Sequence, residues 1–242
     1  MEMADIAPLF FGWQETMIWS CLQGCMGRAL WEGGDRPRSA MLWVGDFCFF
    51  AGSPSVELAG QGTAPILVPR DGGWERALEL AWGDRVRRWT RYATEKDPNC
   101  FDRAALKRFA ELPQGYELRP MDRELYAQAM EEGWSRDLCA VFQGQEDYCR
   151  RGLGVAALYQ GRLAAGASSY TVYRGGIEIE IDTAPRHRRR GLAAACGARL
   201  ILDCLDRGLY PSWDAHDLRS AALARKLGYQ IAGPYPVYLR KE

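Results

Sequence analysis

The sequence has little histidine and no net charge: His187 and His216 are the only histidines in 242 residues, and 31 Lys and Arg are set against 31 Asp and Glu. With so few histidines and no C-x-x-C pair, a structural zinc site lacks the ligands it needs, and no metal is expected. Charge balance excludes attraction of the whole surface to nucleic acid or to an anionic membrane. Long apolar runs are missing as well, since "AMLWV" stops at Gly45-Asp46, far short of a spanning helix. The opening "MEMADIAPLFFGWQE" carries acids where a secretion signal carries Lys or Arg, so a cytoplasmic location is expected, with neither nucleic acid nor membrane as partner. Eight cysteines are scattered beside apolar residues in a chain too large to depend on a disulfide framework, and they read as reduced, buried thiols.

Two halves can be told apart. In the first, Trp13, Met17, Cys21 and Cys25 recur every four residues, which predicts an amphipathic helix ending by Gly27. "SAMLWV" and "FCFFAG" across Gly45-Asp46 read as a hairpin, "APILVP" as a buried strand and "WERALELAW" as a helix. "VRRWTRYAT" stays open: its aromatic residues fall every third position, as in a helix, while its composition suits a strand. One helix between Pro98 and Pro113 forms the connection, giving an α/β domain over 1–113 and a second domain over 114–242.

In the second half "YELRP" reads as a strand, and "RELYAQAM" and "SRDLCAVFQGQEDYCRR" as helices. "GVAALYQGRLAAGASSYTVYRGGIEIEIDT" then changes period, predicting three antiparallel strands punctuated by Gln160-Gly161 and Gly175-Gly176. A helix over 191–206, a strand "LYPSWDA", a helix "LRSAALARKL" and a last strand "YPVYL" complete the order.

Positive charge is concentrated in "TAPRHRRRGLAAACG", between a predicted strand and a predicted helix. A helix start presents unpaired N–H groups and the positive end of the helix dipole, which suits a phosphate. Gly191 permits close backbone approach, and Ala193, Ala194 and Gly197 keep the first turns slim. Two other readings compete: a solvated basic turn, and a nucleic-acid patch, which fits the arginines but not the glycine and alanine that follow. The following helix offers only Arg199 and Arg207, along with Asp203 and Asp206, so nucleic acid is disfavoured.

Here "RRRGLA", Arg188 to Ala193, resembles the acyl-coenzyme A binding motif R/Q-x-x-G-x-G/A of GNAT-superfamily N-acetyltransferases. "IDTAPRHRRRGLA" looks like the end of that family's fourth strand with its turn, and "DLRSAALARKLGY" resembles its later helix. "WSCLQGCMG", "VGDFCFFAG", "GASSYTVY" and "YPSWDAHD" are similar to a bacterial GNAT subfamily akin to zwittermicin-resistance-type acetyltransferases. The resemblance implies a GNAT-like mixed, mostly antiparallel sheet flanked by helices, preceded by a smaller α/β domain that in such proteins is often a degenerate copy. It implies acetyl-CoA as cofactor, held by Asp182, Thr183, Arg188, Arg189, Arg190, Gly191, Leu192, Ala193, Asp217 and Ser220, and a small-molecule or peptide amine as acceptor. Ser168, Tyr170, Trp213 and His216 fall on the acceptor side.

Glu178, Glu180 and Asp182 alternate with Ile177, Ile179 and Ile181, so strand periodicity puts the three carboxylates on one face. By resemblance Glu178 is the first candidate for general base and Glu180 the second; alternatively the acids bind a cationic substrate, or pair with Arg162 or Arg174. Many GNAT enzymes carry a tyrosine acid in the helix before Lys-Leu-Gly, where this chain has Ala224, leaving Tyr235, Tyr238 or solvent for the role. Asp217 stands where the family usually has Asn and doubles as an N-cap. His216 reads as a wall or turn residue, and Cys196, aligned with Leu192 and Leu200, as core. Two functions follow: an amine N-acetyltransferase, or a non-catalytic acyl-CoA-binding sensor of the same fold.

Overall fold

A computed structural model describes residues 3–241. The chain forms two compact units: one takes the chain up to Arg91 and again from Pro234, and the other runs from Tyr92 to Gly233. Residues 92–113, which the sequence reading groups with the first half, lie in the second unit, and the C-terminal strand returns to the first.

In the first unit α1 (Met3–Ile6) and α2 (Thr16–Leu22) precede an antiparallel meander of β1 (Arg28–Glu32), β2 (Ser39–Val44) and β3 (Phe47–Gly52). The predicted first helix is shorter than its four-residue spacing suggested. Gly24 turns left-handed at φ +69°, and the N–H of Cys25 bonds back to Ser20, which closes the helix before Cys25 can join it. Short α3 (Val56–Gly60) leads to β4 (Ile66–Pro69), parallel to β3, and α4 (Gly72–Trp82) leads to β5 (Val86–Thr94). β5 is the segment left open by its sequence, and its aromatic and β-branched content prevails over the three-residue spacing. Trp74, fully buried among Phe50, Leu67 and Leu78, anchors this core and donates its indole N–H to the Gly52 carbonyl at 2.9 Å.

The second unit continues with α5 (Arg103–Phe109), β6 (Tyr116–Pro120), α6 (Arg123–Glu131) and α7 (Gln145–Arg151). The stretch read as helix from Ser135 to Arg151 is broken: one 3₁₀ turn over Arg136–Leu138 is separated from α7 by Gly144 at φ +117°. The three predicted strands are β7 (Gly154–Tyr159), β8 (Arg162–Tyr173) and β9 (Gly176–Thr183), all antiparallel. Then come α8 (Leu192–Asp206), β10 (Tyr210–Ser212), β11 (Asp214–Ala215), α9 (Leu218–Lys226) and β12 (Ile231–Arg240). The sheet runs β10-β9-β8-β7-β6, with β10 parallel to β9. Leu192, Cys196, Leu200 and Ile201 of α8 pack on Val155, Ala157, Ile177 and Ile179, so the helix covers the isoleucine face and leaves the carboxylates on the other.

"LYPSWDA" is not one strand. β10 pairs with β9 only as far as Ser212 opposite Glu178, and after Trp213 the chain leaves β9, with β11 pairing Asp214 and Ala215 to Ala93 and Tyr92 of β5. The strands therefore part at the level of Glu178. At the other end, β12 sets Tyr238 and Leu239 beside Leu67 and Ile66 of β4. The order of three antiparallel strands, helix, parallel strand and helix occurs twice, as β1-β2-β3-α3-β4-α4 and, with the two-residue β11 inserted before the last helix, as β7-β8-β9-α8-β10-α9.

Candidate active site

β9 ends at Thr183, and one 3₁₀ turn, Pro185–His187, carries the chain to α8. Most helices of the chain begin with a side chain bonded to their first N–H groups: Ser55 for α3, Asp71 for α4, Asp102 for α5, Asp122 for α6 and Asp217 for α9. The longest helix, α8, has none, because its N-cap is Gly191 in the left-handed region at φ +82°. Its first intrahelical bond runs from Ala195 to Gly191, so the N–H groups of the first turn point outward as the positive end of a fifteen-residue dipole. Arg189, at φ +61°, bends the loop just before it. A cavity of about 380 Å³ opens over this turn, lined by Thr183, Arg188, Arg189, Gly191, Leu192 and Ala193, all expected from the sequence, and also by His187, Ala194, Leu223 and Lys226.

Of those four, His187 and Ala194 belong to the basic stretch "TAPRHRRRGLAAACG", whereas Leu223 and Lys226 were not singled out. Leu223 and Lys226 are one helical turn apart on α9, and that spacing, read together with "RKLG", was the available signal. Lys226 also lies over the Phe109 ring at 5.0 Å. His187 is buried beside Tyr116 and Tyr159, with its Nδ1 2.8 Å from the Tyr116 hydroxyl. Arg186 can only donate, and its Nε meets His187 Nε2 at 3.2 Å, so the neutral ring carries its proton on Nδ1. Burial, with Arg186 and Arg190 nearby, holds the His187 pKa below its ordinary value. Arg190 is exposed outside the lining.

On the opposite face of β9, Glu178 is 2% exposed. Its cross-strand neighbours are Thr171 on β8 and Ser212 on β10, both fully buried, and the hydroxyl oxygens of both lack a hydrogen-bond partner among the described residues. Glu180 lies opposite Ser168, whose hydroxyl is 2.6 Å from that of Tyr148. A bulge between Ser169 and Thr171 sets Tyr170 out of register, and its ring is buried. Asp182 lies opposite Gly166, and its carboxyl is pushed up to about 6, chiefly by burial and then by Asp137, against a small opposing pull from Arg188. Arg162 pairs with Glu131 at 3.2 Å. Asp137, in the 3₁₀ turn before α7, was not singled out by sequence because nothing local links it to β9.

The remaining expected residues lie around the start of α9. Trp213 is buried and donates its indole N–H to Ser220 Oγ at 3.2 Å. Asp217 Oδ1 accepts from the N–H groups of Arg219 and Ser220, and Oδ2 from the Arg219 guanidinium, which together lower its pKa. The aspartate thus serves its own helix as cap. His216 is exposed at the preceding bend, and Ala224 is buried. Tyr238 belongs to the first unit, where its hydroxyl donates to Glu79 at 2.5 Å, so it is bound up in that core. Cys196 is fully buried and its thiol is pushed up to about 12, as a packing residue would be. Among the described residues, no helix is long and apolar enough to cross a membrane.

Similarity to known proteins follows the same lines. A GCN5-related N-acetyltransferase-like protein from Streptococcus suis 89/1591, known as a crystal structure, shares 44% identity, covers 99% of this chain and 98% of its own, and superposes with a TM-score of 0.95. A GCN5-related N-acetyltransferase from Kribbella flavida shares the fold at 16% identity and TM-score 0.56, over 89% of this chain and 90% of its own. The uncharacterised N-acetyltransferase YdfB of Bacillus subtilis strain 168 is 27% identical over 174 residues, which is 68% of this chain and 62% of that protein's length. The sequence profile of the GNAT acetyltransferases matches residues 7–238. Since that match spans both compact units, the whole chain, and not merely the half with the arginine loop, belongs to the GNAT acetyltransferase family.

Proposed function

We propose that the protein is an N-acetyltransferase that moves an acetyl group from acetyl-CoA to a primary amine by direct attack, with no covalent acyl-enzyme. The observation that carries this reading is the uncapped start of α8, where outward N–H groups, Arg188, Arg189 and Lys226 face one cavity. These groups fit a pyrophosphate: backbone donors take its oxygens and the side chains neutralise its charge. Bound acetyl-CoA supplies the activated acyl group as a thioester. The chain's own part is to hold the amine where β9 and β10 separate and to take its proton on Glu178, the buried carboxylate at that level. Narrower likeness to zwittermicin-resistance-type enzymes belongs to this reading and rests on the sequence stretches alone.

The repeated element order supports reading the first unit as a degenerate copy. Its counterpart of α8 is the five-residue α3, capped by Ser55 and carrying Glu57 in its first turn, which disfavours an anion there. One acyl-CoA per chain is therefore expected.

A sensor that binds acyl-CoA without catalysis is the second reading, favoured by Ala224 where the family's tyrosine acid usually stands. The deciding experiment measures the thermal midpoint with and without acetyl-CoA and then follows acetylated product across a panel of amines. A concentration-dependent rise with product supports the enzyme; a rise without product supports the sensor; no rise at millimolar acetyl-CoA refutes both.

A further inference from the structure

Between His187 and α8 the chain runs through Arg188, Arg189, Arg190 and Gly191, with Arg189 and Gly191 left-handed. Among the described residues, the N–H groups of Arg189, Arg190 and Gly191 bond to no other backbone group, while the Arg188 Nε reaches back to the Thr183 carbonyl at 3.3 Å. A loop of this kind keeps its donors for a ligand, so its place is set by what flanks it. One flank is α8. The other is the 3₁₀ turn Pro185–His187, which is tied at both ends: the Ala184 N–H donates to the Ala164 carbonyl of β8 at 2.9 Å, and the His187 ring meets Tyr116 of β6. In the sheet β6 lies two strands beyond β8, so the ring makes a link that the pairing of β9 does not supply.

Both ring nitrogens of His187 are engaged inside the protein. Nδ1–H donates to the Tyr116 hydroxyl at 2.8 Å and Nε2 accepts from the Arg186 Nε at 3.2 Å, with the Tyr159 ring centroid 5.3 Å away. His187 therefore lines the cavity without a nitrogen to offer a phosphate, unlike the cations Arg188, Arg189 and Lys226 that share the lining. The two bonds also require a neutral ring, the form that burial and the charges of Arg186 and Arg190 favour. An imidazolium would set a donor at Nε2 against the donor of Arg186.

Resting on the acetyltransferase reading above, we infer that His187 is a positioning residue for the acyl-CoA phosphates: held between Tyr116 and Arg186, it fastens the arginine loop to β6 and so fixes the loop's N–H groups at the mouth of α8. Tyr116 acts through His187 alone, since it lies outside the cavity lining. The pair is one clamp with two halves.

The test titrates the full-length protein calorimetrically with acetyl-CoA, with thermal melts to establish that each variant is folded. Tyr116→Phe and His187→Ala should each weaken acetyl-CoA by about three- to tenfold, and the double variant should bind no more weakly than His187→Ala, because the two side chains make one link. His187→Asn keeps an N–H donor where Nδ1 stood and should recover most of the loss. With any amine that is acetylated, KM for acetyl-CoA should rise in Tyr116→Phe while kcat at saturation holds. Wild-type affinity in folded Tyr116→Phe, losses that add in the double variant, or His187→Asn as weak as His187→Ala overturns the clamp and leaves the acetyltransferase reading standing. Losses that coincide in single and double variants, with no product from any amine, uphold the clamp and overturn the acetyltransferase. No acetyl-CoA binding by wild type overturns both.

Discussion

Adding a methyl group to Gly191 imposes a backbone cost and a ligand cost, and a second glycine separates the two. Gly191 and Gly208 flank α8 at φ +82° and +67°, and a Cβ built on either meets no atom within 4 Å. Forcing an L-residue into this region costs roughly 1–2 kcal/mol at either position. For a chain of this size that lowers the thermal midpoint by about 2–8 °C, equally for Gly191→Ala and Gly208→Ala. Only Gly191 lines the cavity over the helix start, where its new methyl would stand between the first-turn N–H groups and a phosphate. Losing one or two charge-assisted bonds at about 1.5 kcal/mol or more each should weaken acetyl-CoA by roughly 10–100-fold in Gly191→Ala and leave it unchanged in Gly208→Ala. Calorimetric titration with acetyl-CoA, alongside thermal melts, reads both quantities. Equal acetyl-CoA affinity in the two variants would refute the reasoning, whatever the melts show.

Lys226→Met should lower acetyl-CoA affinity about three- to tenfold and flatten its salt dependence, since one cation leaves the cavity while the stem still packs; a steeper salt dependence would count against it. Glu178→Gln should cut kcat by about 10²–10⁴ with acetyl-CoA affinity unchanged, and turnover at the wild-type rate across the pH range would remove Glu178 as base. Asp182 has a folded pKa near 6, above its unfolded value, so its contribution is most favourable below about pH 4 and is lost as pH rises through 6. Asp182→Asn should therefore raise the thermal midpoint at pH 8 by more than at pH 4, and a larger gain at pH 4 would contradict the burial described. Trp74→Ala should destabilise by about 3–5 kcal/mol, measured by urea unfolding, because it empties the largest buried side chain of its core.

Local features of the sequence reached the elements whose signals are local. The alternation of Glu178, Glu180 and Asp182 with isoleucine needs only the period of a strand, and the face it predicted is the face seen. Gly191 after three arginines marks a helix start whether or not its ligand is known. The failures came where distant residues decide. "LYPSWDA" has the composition of one strand, yet it divides at Trp213 because β9 offers partners only to Ser212 and β5 takes the next residues. "VRRWTRYAT" could not be assigned alone, since its spacing and its composition point to different elements; in the fold it is β5, with Tyr92 and Ala93 paired to β11. Ser212 became a site candidate only when β10 set it opposite Glu178, although "YPSWDAHD" had already marked its stretch, and Asp137 drew notice only through its charge on Asp182, from a turn with no motif of its own.

The pairing of Tyr238 and Leu239 with β4 has a consequence for synthesis. β4 ends at Pro69, but the strand beside it, β12, is made only at Ile231–Arg240. At ordinary translation speed, roughly 10–35 s pass between the two, during which one edge of β4 keeps its backbone donors and acceptors unpaired. The first unit therefore cannot finish folding on the ribosome ahead of the second, and a premature stop anywhere in the second unit leaves the first with an open edge. Nascent-chain proteolysis should find the N-terminal unit protected only after residue 239 has emerged.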